Sequence, residues 1–214
     1  MVMYIINANP NPNTSICTLK WDLLPPITDV DTDNEQSLDL LSLLKHWDYS
    51  KSIHIDLENR QYHILGYPVT NIRWNFQDNV KIQGIVKPYI GEETKNKNVH
   101  VLLSLAASEA EVRTTLTVEH SKLVFRYTDD RVGKLKAIYD EICTHKPEYS
   151  YFIDLTLANG NQIKCTVRVS DSEGEYVDTF TRTYSNVDLP NLSFSVGTMY
   201  TTYTWLSVYA TPKI

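Results

Sequence analysis

The chain has 214 residues and sets 20 Lys and Arg against 26 Asp and Glu, a formal net charge of −6. That balance lacks the basic face a nucleic-acid binder needs to displace counterions from phosphates, so no nucleic-acid partner is expected. With 42% hydrophobic and 21% charged residues the chain can bury a core without disulfides or metals, and no stretch approaches the ~18 uncharged apolar residues of a membrane span.

Three cysteines, Cys17, Cys143 and Cys165, stand too far apart for a zinc pattern and are odd in number, so they read as small apolar fillers. The start, Met-Val-Met-Tyr-Ile-Ile-Asn, has no positive n-region and no signal-peptide character. Synthesis in a reducing cytosol is the expectation, and the Asn-x-Ser/Thr patterns at Asn13 and Asn191 are then incidental.

In chain order, Met1 to Ile6 and Ser15 to Trp21 read as short strands. Between them, Ala8 to Asn13 (Ala-Asn-Pro-Asn-Pro-Asn) cannot be a regular helix or an inner strand, because two prolines remove donors. Residues 1–14 are therefore read as an extended N-terminal arm held by neighbouring subunits, ahead of a single β-rich domain over 15–214. Asp29 to Gln36 is a polar acidic loop. A short helix is expected over about 37–47, where Leu38, Leu41 and Leu44 follow helical spacing and Asp33 or Asn34 can cap it.

Two strands, Ser52 to Leu57 and Gln61 to Leu65, form a hairpin around Glu58-Asn59-Arg60 that would bring His54 opposite His63. Strands follow at Asn71 to Phe76 and Val80 to Pro88, then a loop from Gly91 to Asn98 with a solvated basic cluster, Lys95-Asn96-Lys97. Val99 to Leu105, Val112 to Glu119 and Lys122 to Tyr127 are strand-like, rich in Val, Leu, Thr and aromatics. A second helix is expected over about 130–145, from the apolar stripe Val132, Leu135, Ile138, Tyr139 and Ile142, ended by Pro147.

From Tyr151 to Val169 the apolar positions alternate strictly: Tyr151, Ile153, Leu155, Leu157, then Ile163, Cys165, Val167, Val169. A period of two puts them on one face of a sheet, and Asn159-Gly160 between them can take the positive φ angles of a type I′ hairpin turn. Strands near Tyr176 to Tyr184, Leu192 to Val196 and Thr202 to Ala210 complete the series. Many short strands with two helices predict a mainly β fold, an antiparallel sandwich of jelly-roll-like type.

Candidate sites are few. Asp29, Asp31 and Asp33 alternate as in the first half of a calcium loop, but Asn34 replaces the turn glycine, and Leu40 stands where the closing glutamate belongs, with Asp39 one position early. A solvated acidic loop at a helix N-terminus is the preferred account, with a weak metal site as the alternative. Six histidines (His46, His54, His63, His100, His120, His145) lie eight or more residues apart, in no metal-ligand motif. No Gly-x-Ser-x-Gly elbow or glycine-rich phosphate loop is present, and no cofactor is expected.

The runs Ser108-Glu109-Ala110-Glu111-Val112-Arg113 and Phe194-Ser195-Val196-Gly197-Thr198-Met199-Tyr200 faintly resemble the conserved ends of β-sandwich alginate lyases, where an Arg-bearing strand and a Lys/Gly/Tyr-bearing strand line a groove for acidic sugar. The likeness covers 13 residues, lacks the lysine of the second motif, and has Gln162-Ile163-Lys164 where Gln-Ile-His belongs. A net-negative chain also repels a polyanionic substrate, so the resemblance is set aside.

There remain 14 tyrosines and four tryptophans, crowded at Tyr200, Tyr203, Trp205 and Tyr209 with threonines between. Tyr and Trp are enriched where surfaces meet partners. The leading expectation is a non-enzymatic structural component of a larger assembly, such as a virion capsid, tail or decoration protein. Its contacts with other copies or subunits would fall on Asn9, Pro10, Asn11, Pro12 and Asn13 of the arm and on Tyr200, Tyr203 and Trp205. The alternative is a carbohydrate-binding module or polysaccharide-active enzyme on a sandwich scaffold, using aromatic platforms with Arg113 or His120 as polar contacts.

Overall fold

The computed structural model describes residues 4–6, 17–22, 53–56, 58–59, 61–66, 74–75, 80–107, 112–131, 136–158, 161–187 and 193–210. The expected helix over 37–47, the acidic loop with Asp29, Asp31 and Asp33, and the arm residues Asn9, Pro10, Asn11, Pro12 and Asn13 lie outside them.

All regular structure among the described residues is strand: β1 (Tyr4–Ile6), β2 (Cys17–Asp22), β3 (Ile53–Asp56), β4 (Gln61–Ile64), β5 (Trp74–Asn75), β6 (Val80–Pro88), β7 (Val99–Ala107), β8 (Val112–Glu119), β9 (Lys122–Asp129), β10 (Lys136–Thr144), β11 (Ser150–Ala158), β12 (Gln162–Ser170), β13 (Tyr176–Ser185), β14 (Ser193–Met199) and β15 (Thr201–Ala210). They form two antiparallel sheets. The first runs β1-β2-β15-β6-β11-β12-β13, with the β3-β4 hairpin joined to β15, and the second runs β10-β9-β8-β7-β14-β5. Within the span read as an arm, β1 pairs with β2 of its own sheet, Tyr4 opposite Lys20.

The period-two pattern decides what faces inward. On β11 and β12 Tyr151, Ile153, Leu155, Leu157, Ile163, Cys165, Val167 and Val169 are all buried, while the residues between them are part-exposed or exposed. They meet Leu103, Leu105, Leu116, Leu123, Phe125 and Tyr127 of the second sheet in one apolar cluster. Each such side chain contributes roughly 1.5–3 kcal/mol on leaving water. Across the layers Phe125 stacks on Tyr184, with ring centroids 3.7 Å apart and planes 4° from parallel. Ala158 pairs with Gln162, so three residues separate β11 from β12, one more than a two-residue type I′ loop allows.

The helix expected over 130–145 is replaced by β10. Ile138 and Ile142 lie four residues apart, a separation close to one helical turn that is also a multiple of two, so both patterns contain them. Pairing decides: Lys136 to Thr144 runs antiparallel to β9, from Lys136 opposite Asp129 to Thr144 opposite Lys122. A bulge between Glu141 and Cys143 lets Ile142 reach the core, where it is buried.

Three connections cross between the sheets at one end: residues 89–98 from β6 to β7, 145–149 from β10 to β11, and the single residue Tyr200 from β14 to β15. The two-residue turn His120-Ser121 between β8 and β9 lies at the same end, since Glu119 pairs with both Val99 and Lys122. The sandwich is therefore laced shut at this end, and polar side chains that the core rejects collect there.

Candidate functional site: a histidine-lined cleft where the sheets cross

That end holds an open cleft of about 200 Å³, lined by Pro88, Ile90, Lys97, Asn98, His100, Val118, His120, Ser121 and His145. Three of the six histidines converge here from β7, the β8–β9 turn and the residue after β10.

Backbone geometry sets the walls. His120 and Ser121 have φ of 47° and 59°, as a type I′ turn requires, although neither is the Asn or Gly that accepts that region cheaply. Tyr200, the one-residue crossover, has φ 53°. Its carbonyl accepts from the Tyr89 N–H at 2.9 Å and from His100 Nδ1 at 2.8 Å. The His145 N–H donates to the Ser121 carbonyl at 2.9 Å, which brings the β10–β11 loop against the turn. The opposite wall is the 91–98 loop, built on buried Thr94. Its hydroxyl donates to the Tyr89 carbonyl (2.7 Å) and accepts from the Gly91 N–H (3.0 Å). Lys97, exposed at the end of this loop, places its ammonium 5.4 Å from the centre of the Tyr200 ring.

The hydrogen bonds fix the tautomers of two imidazoles. A carbonyl only accepts, so His100 Nδ1 carries the proton toward Tyr200, and the neutral form of that tautomer has its lone pair on Nε2. His145 Nδ1 lies 2.6 Å from the hydroxyl of Tyr151, a fully buried phenol whose titration burial drives well above its usual range. Among the described residues that hydroxyl has no other acceptor, so it donates to Nδ1 and leaves His145 with Nε2–H. Burial, and secondarily the charge of His100, lower the His145 pKa to about 4, against a smaller opposing pull from Glu148. His145 is neutral at pH 7. The pair thus offers one acceptor and one donor, the complement of a hydroxyl group, beside the apolar surfaces of Pro88, Ile90 and Val118.

The residues singled out from sequence fall in several places. His120 lines this cleft and Tyr200 borders it. Tyr203 does not stand at a surface: it is 3% exposed, its hydroxyl bonds to the Leu102 carbonyl, and its ring packs in the core. Trp205 occupies a register position opposite Ile85 and Asp22. His54 does pair with His63. The His63 ring lies 4.8 Å from that of Tyr89, with Nδ1 on the Thr202 hydroxyl at 2.9 Å. Arg113, exposed on β8, and Ser195 on β14 flank Ala106 of β7 in the second sheet, whereas Gln162 and Lys164 of the third run lie on β12 of the first. Burial raises the thiol pKa of Cys143 to about 11 and of Cys165 to about 12, which suits structural rather than nucleophilic thiols. Sequence reasoning missed His100, His145, Lys97 and Ser121; the available signal was that each histidine stands at a strand end.

No protein-family model matches the chain, and no curated protein matches it. Among solved structures, a family 7 alginate lyase, A1-II′, superposes with a TM-score of 0.46 at 9% identity, covering 77% of this chain and 83% of that one. The carbohydrate-binding module CBM66 from Bacillus subtilis gives 0.42 at 11%, over 76% and 91% of the two chains. The enzymatically active domain of bacteriophage CBA120 tailspike protein 2 gives 0.46 at 8%, over 75% of this chain and 26% of that one. No residue role passes from these proteins to this chain.

Proposed function

We propose that the chain is a carbohydrate-recognition domain on a jelly-roll-like scaffold, with the end cleft as its sugar site. One observation carries the reading: of four described non-glycine residues with positive φ, three (His120, Ser121 and Tyr200) surround this one cleft. Such backbone costs of order 1–3 kcal/mol per residue and persists where the surroundings need it. Here it presents an imidazole, a hydroxyl and a carbonyl that orients a second imidazole. The cleft is smaller than the ~300–1,000 Å³ of drug-sized sites, as suits a single sugar ring. Ile90, 59% exposed at its edge, provides an apolar surface for sugar C–H groups.

Recognition rather than turnover is favoured because imidazoles oriented by the Tyr200 carbonyl and the Tyr151 hydroxyl suit the binding of hydroxyls, and no carboxylate is among the residues that line the cleft. The assembly reading loses one of its anchors, since Tyr203 is consumed by the core.

A glycan array followed by titration calorimetry tests the proposal, with light scattering on the same sample. Expected is a monomer that binds glycans and loses binding in His100→Ala. Failure of every glycan to bind, beside a stable higher assembly, would reject it in favour of the structural-component reading.

A further inference from the structure

The charges of the cleft say which sugar it takes, and this inference rests on the sugar-site reading above. The lining combines one ammonium, Lys97, with three imidazoles, the Asn98 amide and the Ser121 hydroxyl, and contains no Asp or Glu. That is unusual in a chain where acidic residues outnumber basic ones by 26 to 20.

Three carboxylates near the cleft in sequence are paired with cations, while exposed Glu148 acts on His145 from the loop after β10. Glu92 accepts from Lys95 Nζ at 2.6 Å, on the same loop as Lys97. Glu119, which precedes His120, takes the Arg126 guanidinium on the outer face of the second sheet. Glu141 takes Lys122 at 2.7 Å. Lys95, Arg126 and Lys122 are thereby paired, while Lys97, exposed, lies with its ammonium 5.4 Å from the centre of the Tyr200 ring and has no carboxylate partner among the described residues.

We infer that the cleft selects a saccharide bearing an anionic oxygen group, a carboxylate or a sulfate ester, which Lys97 binds while His100 and His145 hold an adjacent hydroxyl. An ammonium against an anionic oxygen makes a stronger, shorter hydrogen bond than against a neutral hydroxyl. A neutral sugar offers the exposed ammonium only neutral acceptors and gains none of that advantage.

The test titrates galacturonic acid, galactose 6-sulfate and galactose separately into the full chain and into Lys97→Gln, by calorimetry at low salt. Expected is at least one acidic sugar about tenfold tighter than galactose, the worth of one charge-assisted hydrogen bond. Lys97→Gln should erase that preference, leaving neither acidic sugar tighter than galactose, and an unchanged melting temperature confirms its fold. Carboxylate and sulfate sources are told apart by which acid keeps the advantage. Equal binding of all three sugars would overturn the inference and leave the sugar site standing. Failure of all three, or sodium acetate or sulfate binding as tightly as the acidic sugars, would overturn both.

Discussion

The backbone N–H of His145 donates to the carbonyl of Ser121 at 2.9 Å, joining the loop after β10 to the turn between β8 and β9. This bond sits where two hydrophobic strand patterns have ended, so nothing apolar holds the segments together. It makes the strained turn part of the scaffold that places His145, which couples backbone conformation to the chemistry of the cleft.

Relieving the turn should therefore separate stability from function. His120→Asn with Ser121→Gly supplies the residues a type I′ turn prefers, and the Ser121 carbonyl that holds His145 is retained. Thermal denaturation should show a gain of about 1 kcal/mol, while glycan affinity falls. A double variant that gains no stability would contradict the claim that strain is stored there.

The 91–98 loop depends on one hydroxyl. Thr94 is 2% exposed, and Thr94→Val keeps its shape while removing the bonds to Tyr89 and Gly91. Two part-buried backbone groups then lose this partner, a loss of about 0.5–1.5 kcal/mol for each bond. Amide exchange should accelerate across residues 91–98, and the preference for acidic sugars should fall because Lys97 is no longer placed. Unaltered exchange in that loop would show that Thr94 is not its anchor.

Much of this was legible in the chain. Alternation at Tyr151, Ile153, Leu155 and Leu157 gives β11 and its buried face, and β6 and β8 have the bounds that composition suggests. The cleft was not legible, for a physical reason. In an antiparallel meander the start of β7, the end of β8 and the end of β10 lie at one end, so His100, His120 and His145 become neighbours once those strands are known. The Ile138–Ile142 spacing fits both periods, and reading it as a helix removed β10 and with it the position of His145. Only the register, Thr144 opposite Lys122, resolves it. The tautomers depend on the Tyr200 carbonyl and the Tyr151 hydroxyl, 100 and 6 residues away, which no local pattern reports.

Protonation of His145 should make stability depend on pH in a defined window. Its pKa falls from about 6.5 unfolded to about 4 folded, so between these values the unfolded chain binds the extra proton. The contribution is full above pH 6.5 and is lost as pH drops toward 4. His100 and Glu148 are the charged groups that act on it, and the neutral Tyr151 phenol bonds to it. Asp129, held at about 2 chiefly by its hydrogen bond from Arg131, titrates below this range. The melting temperature should fall from pH 7 to 4.5, and His145→Gln should flatten that slope; an equal slope in the variant would assign the dependence elsewhere.

The edges of the two sheets are tied by a carboxylate. Asp140 on β10 accepts from the Tyr184 hydroxyl on β13 at 2.8 Å and lies 3.5 Å from Arg182 Nε. An inward-pointing charge on an edge strand also discourages pairing with another chain. Asp140→Ala deprives both partners at once and should cost about 1–3 kcal/mol, whereas Tyr184→Phe removes one bond and should cost about 0.5–1.5 kcal/mol. Because both changes break the same bond, the double variant should be less destabilised than the sum of the singles. Denaturant melts of the four proteins measure the coupling. Strict additivity would mean that the Asp140–Tyr184 bond contributes nothing, leaving β13 tied to the second sheet by the stacking of Tyr184 on Phe125 of β9.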